Sequence, residues 1–502
     1  MKRRAFISVY DKVGLIEFAQ NLVEKFDYEI VANGDTYDFL KSEGVEVINC
    51  ADFSNNMGLL PSDYCAMNET IFTAILANSS DVQELDALEK FAIKAFDMVV
   101  VNLCPIEKII NDYADNMDEM VKNIDVVGCS VLQAAAKNYK NVTVITDKID
   151  YYVALNANDF GRLRLAVKAF NVVSNYNKLI YENLSQETGD RPFKVFNFEK
   201  IKDLPYGENP HQKASLYKTD GMIEYEVLND KELSFNNMLN ASVALDIVSE
   251  FYDVNSVAIV RHAKPCGVAL GRSLYEAYTK AFDCDPMSSF YGVVACSKPV
   301  DTEIAKHINS MSVEVVVAPD FEEKAMEIFS DNSDIKLVKL NTSLKDLRKK
   351  RSEEIILSPF GALVQNKNES ELDKETFKVV TKEKPTAEQI EDAVFAWKVT
   401  KYAKTNSVVI VRDFKTMAIA QGQTNSLAAV DAALNYSCDN SKDSVMASDS
   451  ALTSEDCIHS AVQNRINLII QPGGSVKDQK LIEACDKYGI SMITTGIRNY
   501  KQ

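Results

Sequence analysis

Histidine is scarce in this chain: four among 502 residues, at 211, 262, 307 and 459. So few imidazoles leave few general bases that titrate near neutral pH. The ten cysteines include no Cys-x-x-Cys pair, and none stands at zinc spacing from a histidine, so no metal is expected. Unpaired cysteines fit a thiol-reducing compartment. No apolar run approaches the roughly 20 residues a membrane span needs. The apolar stretch after Met1-Lys-Arg-Arg stops at Asp11, too short for a secretory signal. A cytoplasmic protein without membrane contact is therefore expected. There is no GxGxxG and no Walker lysine, so nucleotide-triphosphate binding is not supported. A formal net charge of −18 repels phosphate backbones, which argues against nucleic acid as a partner. A local cationic pocket can still take a small anion.

What is present is a globular composition, 46% apolar and 25% charged. At roughly 150 residues per domain the length suggests about three domains. The first 50 residues read as βαβαβ, with strands at Ala5–Val9, Tyr28–Ala32 and Val45–Ile48. Asp97–Leu103 and Asn141–Thr146 are apolar nearly throughout, as strands buried on both faces of a parallel sheet are. Helices over Met120–Asn138 and Arg162–Glu187 complete a first α/β domain. Gly, Pro and mixed charge over residues 187–205 mark a boundary. Beyond it, Pro385 precedes Thr386, and Gln389 completes a Thr-x-x-Gln capping box for a further helix. The run 348–351 (Arg-Lys-Lys-Arg) reads as a solvated helix face. Residues 256–262 (SVAIVRH) and 407–413 (SVVIVRD) are nearly the same peptide, which hints at two related lobes.

Three places carry candidate chemistry. His262 follows the strand Ser256–Val260 and stands between Arg261 and a Pro265-Cys-Gly turn. Ligands in open α/β sheets bind beyond the carboxyl ends of strands, so this grouping suits proton transfer beside an anion. A packed loop histidine is the competing reading. Asn406 sits before a strand, where a carboxamide can donate and accept at once; a helix C-cap asparagine is the alternative. The segment Gln471-Pro-Gly-Gly-Ser475 offers backbone N–H groups to an anion or is a plain tight turn. His307 and His459 read as surface or half-buried helix residues.

These and other segments resemble the bifunctional purine biosynthesis PurH family along nearly the whole chain. They include Ser8-Val-Tyr-Asp-Lys-Val-Gly14, Asn123-Ile-Asp125, Ala134-Ala-Ala-Lys-Asn138 and Tyr206-Gly-Glu-Asn-Pro-His-Gln212. Leu233-Ser-Phe-Asn-Asn237, Asp285-Pro-Met-Ser-Ser-Phe290 and Val445-Met-Ala-Ser-Asp449 follow in the family order. The resemblance implies an α/β fold with a methylglyoxal-synthase-like N-terminal domain (1–195). Two cytidine-deaminase-like lobes (196–365 and 366–502) follow. It implies formyl transfer from 10-formyltetrahydrofolate to the nucleotide AICAR, then ring closure to IMP, in a homodimer whose formyltransferase sites are shared. By the same resemblance His262 is the proton-shuttling catalytic residue, with Arg261 and Asn406 beside it. Tyr206, Asn209 and His211 form a substrate loop. Arg498 and Tyr500 stand where a phosphate-binding arginine and an aromatic are found. Asp456 matches a folate-site carboxylate, Asp125 and Lys137 catalytic or binding positions of the cyclohydrolase, and Lys12 a phosphate contact.

The chain departs from the family pattern at several of these sites. Arg261 replaces a lysine, and arginine is planar and hard to deprotonate. Pro205 and Ser426 stand where phosphate-binding arginines are expected, and Tyr291 stands where a glycine is. An aromatic folate loop reads Ser450-Ala-Leu-Thr-Ser-Glu455. In the cyclohydrolase part an arginine becomes Asp63, a lysine Cys65, a tyrosine Cys104 and a glycine Val127. Each lost charge-assisted phosphate bond costs roughly 1.5–3 kcal/mol, so lowered affinity for the usual nucleotide is expected. From the replacements in its own site, weak or absent cyclohydrolase activity is expected. The rival expectation is a pseudoenzyme that binds a nucleotide or a protein partner without turnover.

Overall fold

The computed structural model describes residues 2–54, 64–78, 81–189, 194, 198–219, 221–229, 231–330, 334–350, 353–372 and 377–502, without the side chains of 349 and 350. The chain divides into two compact units, Met1–Asn197 and Phe198–Gln502.

The first unit is built on five parallel strands: β1 (Arg3–Val9), β2 (Tyr28–Ala32), β3 (Ile48–Asn49), β4 (Met98–Asn102) and β5 (Thr143–Ile145). Their order is β3-β2-β1-β4-β5, so β1 is central. It aligns Phe6 with Val31 on one side and with Val99 on the other. Met98–Val101 are buried, as their unbroken apolar run requires of a strand covered on both faces. Helix Leu15–Phe26 packs Leu15, Phe18, Ala19 and Leu22 into that core, along one helical stripe. Burying each large side chain contributes about 1.5–3 kcal/mol.

Two expectations need correction here. The third strand does not begin at Val45, because the Val45 N–H closes the preceding helix onto the Leu40 carbonyl at 3.0 Å. Only Ile48 and Asn49 pair with β2. The single helix read over Met120–Asn138 is two helices, Met117–Lys122 and Val126–Lys137. Asp125 separates them: its backbone leaves the helical region, and its Oδ1 accepts the Gly128 N–H at 2.7 Å, capping the second helix.

The second unit carries a twelve-stranded mixed sheet. Its first half holds β8 (Tyr225–Val227), β9 (Asn255–Arg261), β10 (Lys264–Gly271), β11 (Val293–Cys296), β12 (Val315–Ala318) and β13 (Lys336–Leu340). The second half holds β16 (Lys378–Val379), β17 (Val408–Arg412), β18 (Lys415–Ala420), β19 (Val445–Ser448), β20 (Leu468–Gln471) and β21 (Ser491–Thr494). The order β16-β21-β20-β19-β17-β18-β10-β9-β11-β12-β13-β8 runs outward the same way from a central β18–β10 pair. Each half is a short strand, a helix, an antiparallel hairpin and three further strands, with helices between them. Thr416 ties the halves, its Oγ1 exchanging hydrogen bonds at 3.0 Å with the Val268 backbone. Two hairpins stand apart, β6 (Glu199–Leu204) with β7 (Ala214–Lys218), and β14 (Glu353–Ser358) with β15 (Gly361–Asn366).

The echo of 256–262 in 407–413 is a structural repeat. In β9–β10, Arg261 pairs with Lys264 across His262 and Ala263. In β17–β18, Arg412 pairs with Lys415 across Asp413 and Phe414. All four turn residues have φ of 54–55°. That left-handed pair makes the two-residue turn whose twist suits a hairpin. Asn255 and Asn406 stand just before the two repeats, and each donates its Nδ2 to a carbonyl, of Arg272 and of Gln423, at 2.9 Å.

Candidate active sites

In the first unit a cavity of about 280 Å³ opens at the carboxyl ends of β1, β2 and β4. Asn33, Cys104, Asp125, Val127 and Gly128 are among its lining residues. Tyr176, from the helix Asp159–Thr188, accepts the Asp125 backbone N–H at 2.9 Å and fixes the start of the 126–137 helix. Burial pushes the Tyr176 phenol up to about 12, so it stays neutral. A Cβ on Gly128 would stand 2.4 Å from Asp125 Oδ2, so this close approach demands glycine. Val127 has no such constraint: it is an ordinary helical residue turned to the cavity rim.

Not all the residues expected in this site meet. Lys137 ends the 12-residue helix that Asp125 caps, about 18 Å away at 1.5 Å per residue, and it is exposed. Lys12 pairs with Asp35 at 2.8 Å. Cys65 is buried, its thiol on Asn33 Oδ1 at 2.8 Å. Cys104 lines the cavity, and burial raises its thiol. Asp63 lies outside the described residues.

In the second unit His262 is not beyond a parallel strand but at the tip of a hairpin, and it is exposed. The Pro265-Cys-Gly segment is no turn; it lies within β10 at a register shift between Pro265 and Gly267. Asn240, on the helix Phe235–Ser249, holds the tip through the Ala263 N–H at 2.7 Å. One turn earlier on that helix, Asn236 donates to the Glu208 carbonyl at 3.2 Å. The loop of Tyr206, Asn209 and His211 is thereby carried on the same helical face as the His262 turn. Asn209 in turn binds Gln212 Oε1 through both its backbone N–H, at 3.0 Å, and its Nδ2, at 2.9 Å, closing the loop on itself.

Asn406 comes to the same sheet edge from the other half. Gln421 spans the two: its Nε2 donates to the Pro265 carbonyl at 3.1 Å, and its Oε1 accepts the Lys404 N–H at 3.4 Å. The helix Ala387–Thr400 ends with Lys401 as its cap, so Asn406 is not a helix C-cap. Its carboxamide is oriented from both ends, with Nδ2 on the Gln423 carbonyl and Oδ1 accepting from Ser450 Oγ at 3.2 Å. Thr405 pairs with the backbone of Lys501, which draws the chain's last residues alongside. Arg498 lies over the Tyr500 ring at 4.0 Å there. Buried Asp449 accepts from Thr405 Oγ1 at 2.5 Å and Ser407 N at 2.9 Å, and burial raises its carboxyl.

Other expectations resolve plainly. Asp456 sits in the first turn of the helix Glu455–Gln463 on its cap residue Ser454, exposed. The N–H groups of Gly474 and Ser475 both point to Asp478 Oδ2, at 2.7 and 3.2 Å, so that segment is a tight turn and not an anion cradle. His307 and His459 are exposed on helices. A larger cavity, about 470 Å³, lies at the opposite sheet edge beside Asp413 and Phe414 rather than at His262. The sequence reading missed Asn240 and Gln421. Their side chains meet partners 23 and 156 residues away, and no local pattern announces that. Among the described residues no group of acidic, histidine and cysteine side chains is arranged to hold a metal, and no helix is long and apolar enough to cross a membrane.

Residues 14–130 match the family model described as an MGS-like domain, and residues 135–436 that described as the AICARFT/IMPCHase bienzyme. A parallel α/β unit followed by a duplicated mixed-sheet unit is thus the frame of a two-activity enzyme. The bifunctional purine biosynthesis protein PurH of Thermoanaerobacter sp. (strain X514) is 39% identical over 100% of both chains. That of Acetivibrio thermocellus is 38% identical, also over 100% of both. The chain belongs to the PurH family. A solved chain titled "Crystal structure of ForH" matches 37% of this chain and 100% of its own length at 26% identity, with a TM-score of 0.33.

Proposed function

We propose that the second unit transfers a formyl group from 10-formyltetrahydrofolate to AICAR or a related aminoimidazole nucleotide. The acceptor's amine nitrogen attacks the formyl carbon. A C–N bond forms, the bond from the formyl carbon to the folate nitrogen breaks, and tetrahydrofolate leaves with that nitrogen protonated. His262 takes the amine proton, while Arg261 and Asn406 orient the amine and stabilise charge on the formyl oxygen. Tyr206, Asn209, His211, Arg498 and Tyr500 hold the nucleotide, and Asp456 contacts the folate. The observation that carries this reading is the Gln421 bridge, which brings the Asn406 loop to the base of the His262 hairpin. The hairpin repeat supports dividing the second unit into two cytidine-deaminase-like lobes, near residues 196–365 and 366–502. A homodimer that shares its formyltransferase sites completes the reading.

We infer that ring closure in the first unit, by Asp125, Lys137 and Lys12, is impaired. Support comes from Cys65 and Cys104 in place of a lysine and a tyrosine, and from Lys137 standing away from the cavity. Incubating the pure protein with AICAR and 10-formyltetrahydrofolate tests the first claim. Formylated nucleotide should accumulate, with slow conversion to IMP. Absence of formylated product at high enzyme concentration, with AICAR still bound in calorimetry, would instead establish a pseudoenzyme.

A further inference from the structure

Tyr291 is a bulky aromatic residue in the left-handed backbone region, at φ 58°. That conformation crowds any Cβ, and an aromatic there is an outlier. Packing does not hold it: the residue is 59% exposed and belongs to no hydrophobic core. Its neighbour Gly292 is the residue that packing constrains, since a Cβ there would lie 3.0 Å from the Ser289 carbonyl oxygen and 3.2 Å from that of Val260. Such strain persists where the surrounding structure holds it, and it clusters at active sites.

The position is next to the proposed chemistry. β11 pairs with β9, Val293 opposite Val260, so continuing that register sets Tyr291 level with His262. The short helix Pro286–Ser289 leads into Tyr291, and the Cys266 thiol reaches its Ser288 carbonyl at 3.8 Å. The Tyr291 N–H is fixed on the Ser312 carbonyl at 2.5 Å. Tyr291 thus stands on a held backbone beside the His262 turn, at the end of the sheet where Asn406 also lies, three strands along from β9. On the formyltransferase reading, Pro205 and Ser426 leave the acceptor's phosphate two cations short. A planar face for its base offsets that loss.

We propose that Tyr291 is a specificity-determining residue whose ring stacks on the planar imidazole base of the acceptor nucleotide. This rests on the formyltransferase reading. AICAR binding is measured by calorimetry, and kcat, KM and Tm are followed, for the full chain and for Tyr291→Gly and Tyr291→Phe. Tyr291→Gly should bind AICAR at least tenfold more weakly, raise KM alike, leave kcat within twofold, and raise Tm because the strain is relieved. Tyr291→Phe should stay within threefold throughout. Ribose 5-phosphate, which lacks the base, should bind the chain and Tyr291→Gly equally. Unchanged or tighter AICAR binding by Tyr291→Gly overturns the proposal, as does equal loss of ribose 5-phosphate. If the unaltered chain neither binds AICAR nor transfers formyl, the formyltransferase reading fails first and the proposal with it.

Discussion

Asn240 and Asp392 do the same work in the two halves of the duplicated unit. Asn240 Oδ1 accepts the Ala263 N–H at 2.7 Å, and Asp392 accepts the N–H groups of Asp413 and Phe414 at 2.9 and 2.8 Å. Each side chain projects from a helix packed on the sheet and fixes the tip of a left-handed turn. Asn240→Ala should free the His262 turn and lower formyl-transfer kcat about tenfold, the equivalent of one lost hydrogen bond of about 1.4 kcal/mol. KM should move less than threefold. Asn240→Asp keeps an acceptor and should retain most of the rate; steady-state kinetics on the three proteins decides this.

His262→Asn is the cleaner removal of the imidazole. Asparagine tolerates φ 54°, where most residues are strained, so the hairpin is kept. The rate should fall by about 10²–10⁴ if the imidazole moves the proton. Thermal unfolding should be unchanged, because His262 is exposed. A variant of near-normal rate would remove the imidazole from the reaction.

Glu250 is a buried carboxylate at the end of the 235–249 helix, paired with buried Lys401 at 3.1 Å and bonded to the Tyr402 hydroxyl at 2.8 Å. Burial alone would raise its carboxyl; Lys401, then Arg348, outweigh burial and hold it below the ordinary 4.5. Lys401 has one anionic partner, and burial lowers its ammonium. For a carboxylate whose folded value is depressed, the stabilisation is present above the unfolded value and is lost as pH falls through the folded one. Resistance to denaturant should therefore fall as the pH drops below about 4.5, and Glu250→Gln should flatten that limb. Lys401→Met at neutral pH leaves the buried carboxylate only Arg348 and the Tyr402 hydroxyl, and should cost up to about 3 kcal/mol in denaturant unfolding.

Gly128→Ala drives a methyl to 2.4 Å from Asp125 Oδ2 and 2.6 Å from Leu103 Cδ2. The helix cap must move, at a cost of about 1–3 kcal/mol in denaturant unfolding. Any residual ring closure should fall with it, while formyl transfer in the other unit stays unchanged.

Much of this was legible along the chain. The strand Asp97–Leu103 and the capping box at Thr386 are local signals, carried by burial on two faces and by one side chain reaching three residues on. The helix over Met120–Asn138 misled because apolar spacing continues through Asp125; only its side-chain cap reveals the break. Lys137 was paired with Asp125 by family position, and 12 helical residues hold them apart.

The order of residues alone determined the family, the two chemistries to look for, and the repeat of 256–262 in 407–413, because motifs and apolar patterns are properties of neighbouring residues. Folding decided what those pieces do together. It turned both repeats into hairpins, set them on opposite sides of one central strand pair, and used Gln421 and Asn240 to join segments far apart in sequence. Such contacts depend on sheet register and helix packing, which fix distances that no stretch of local sequence encodes.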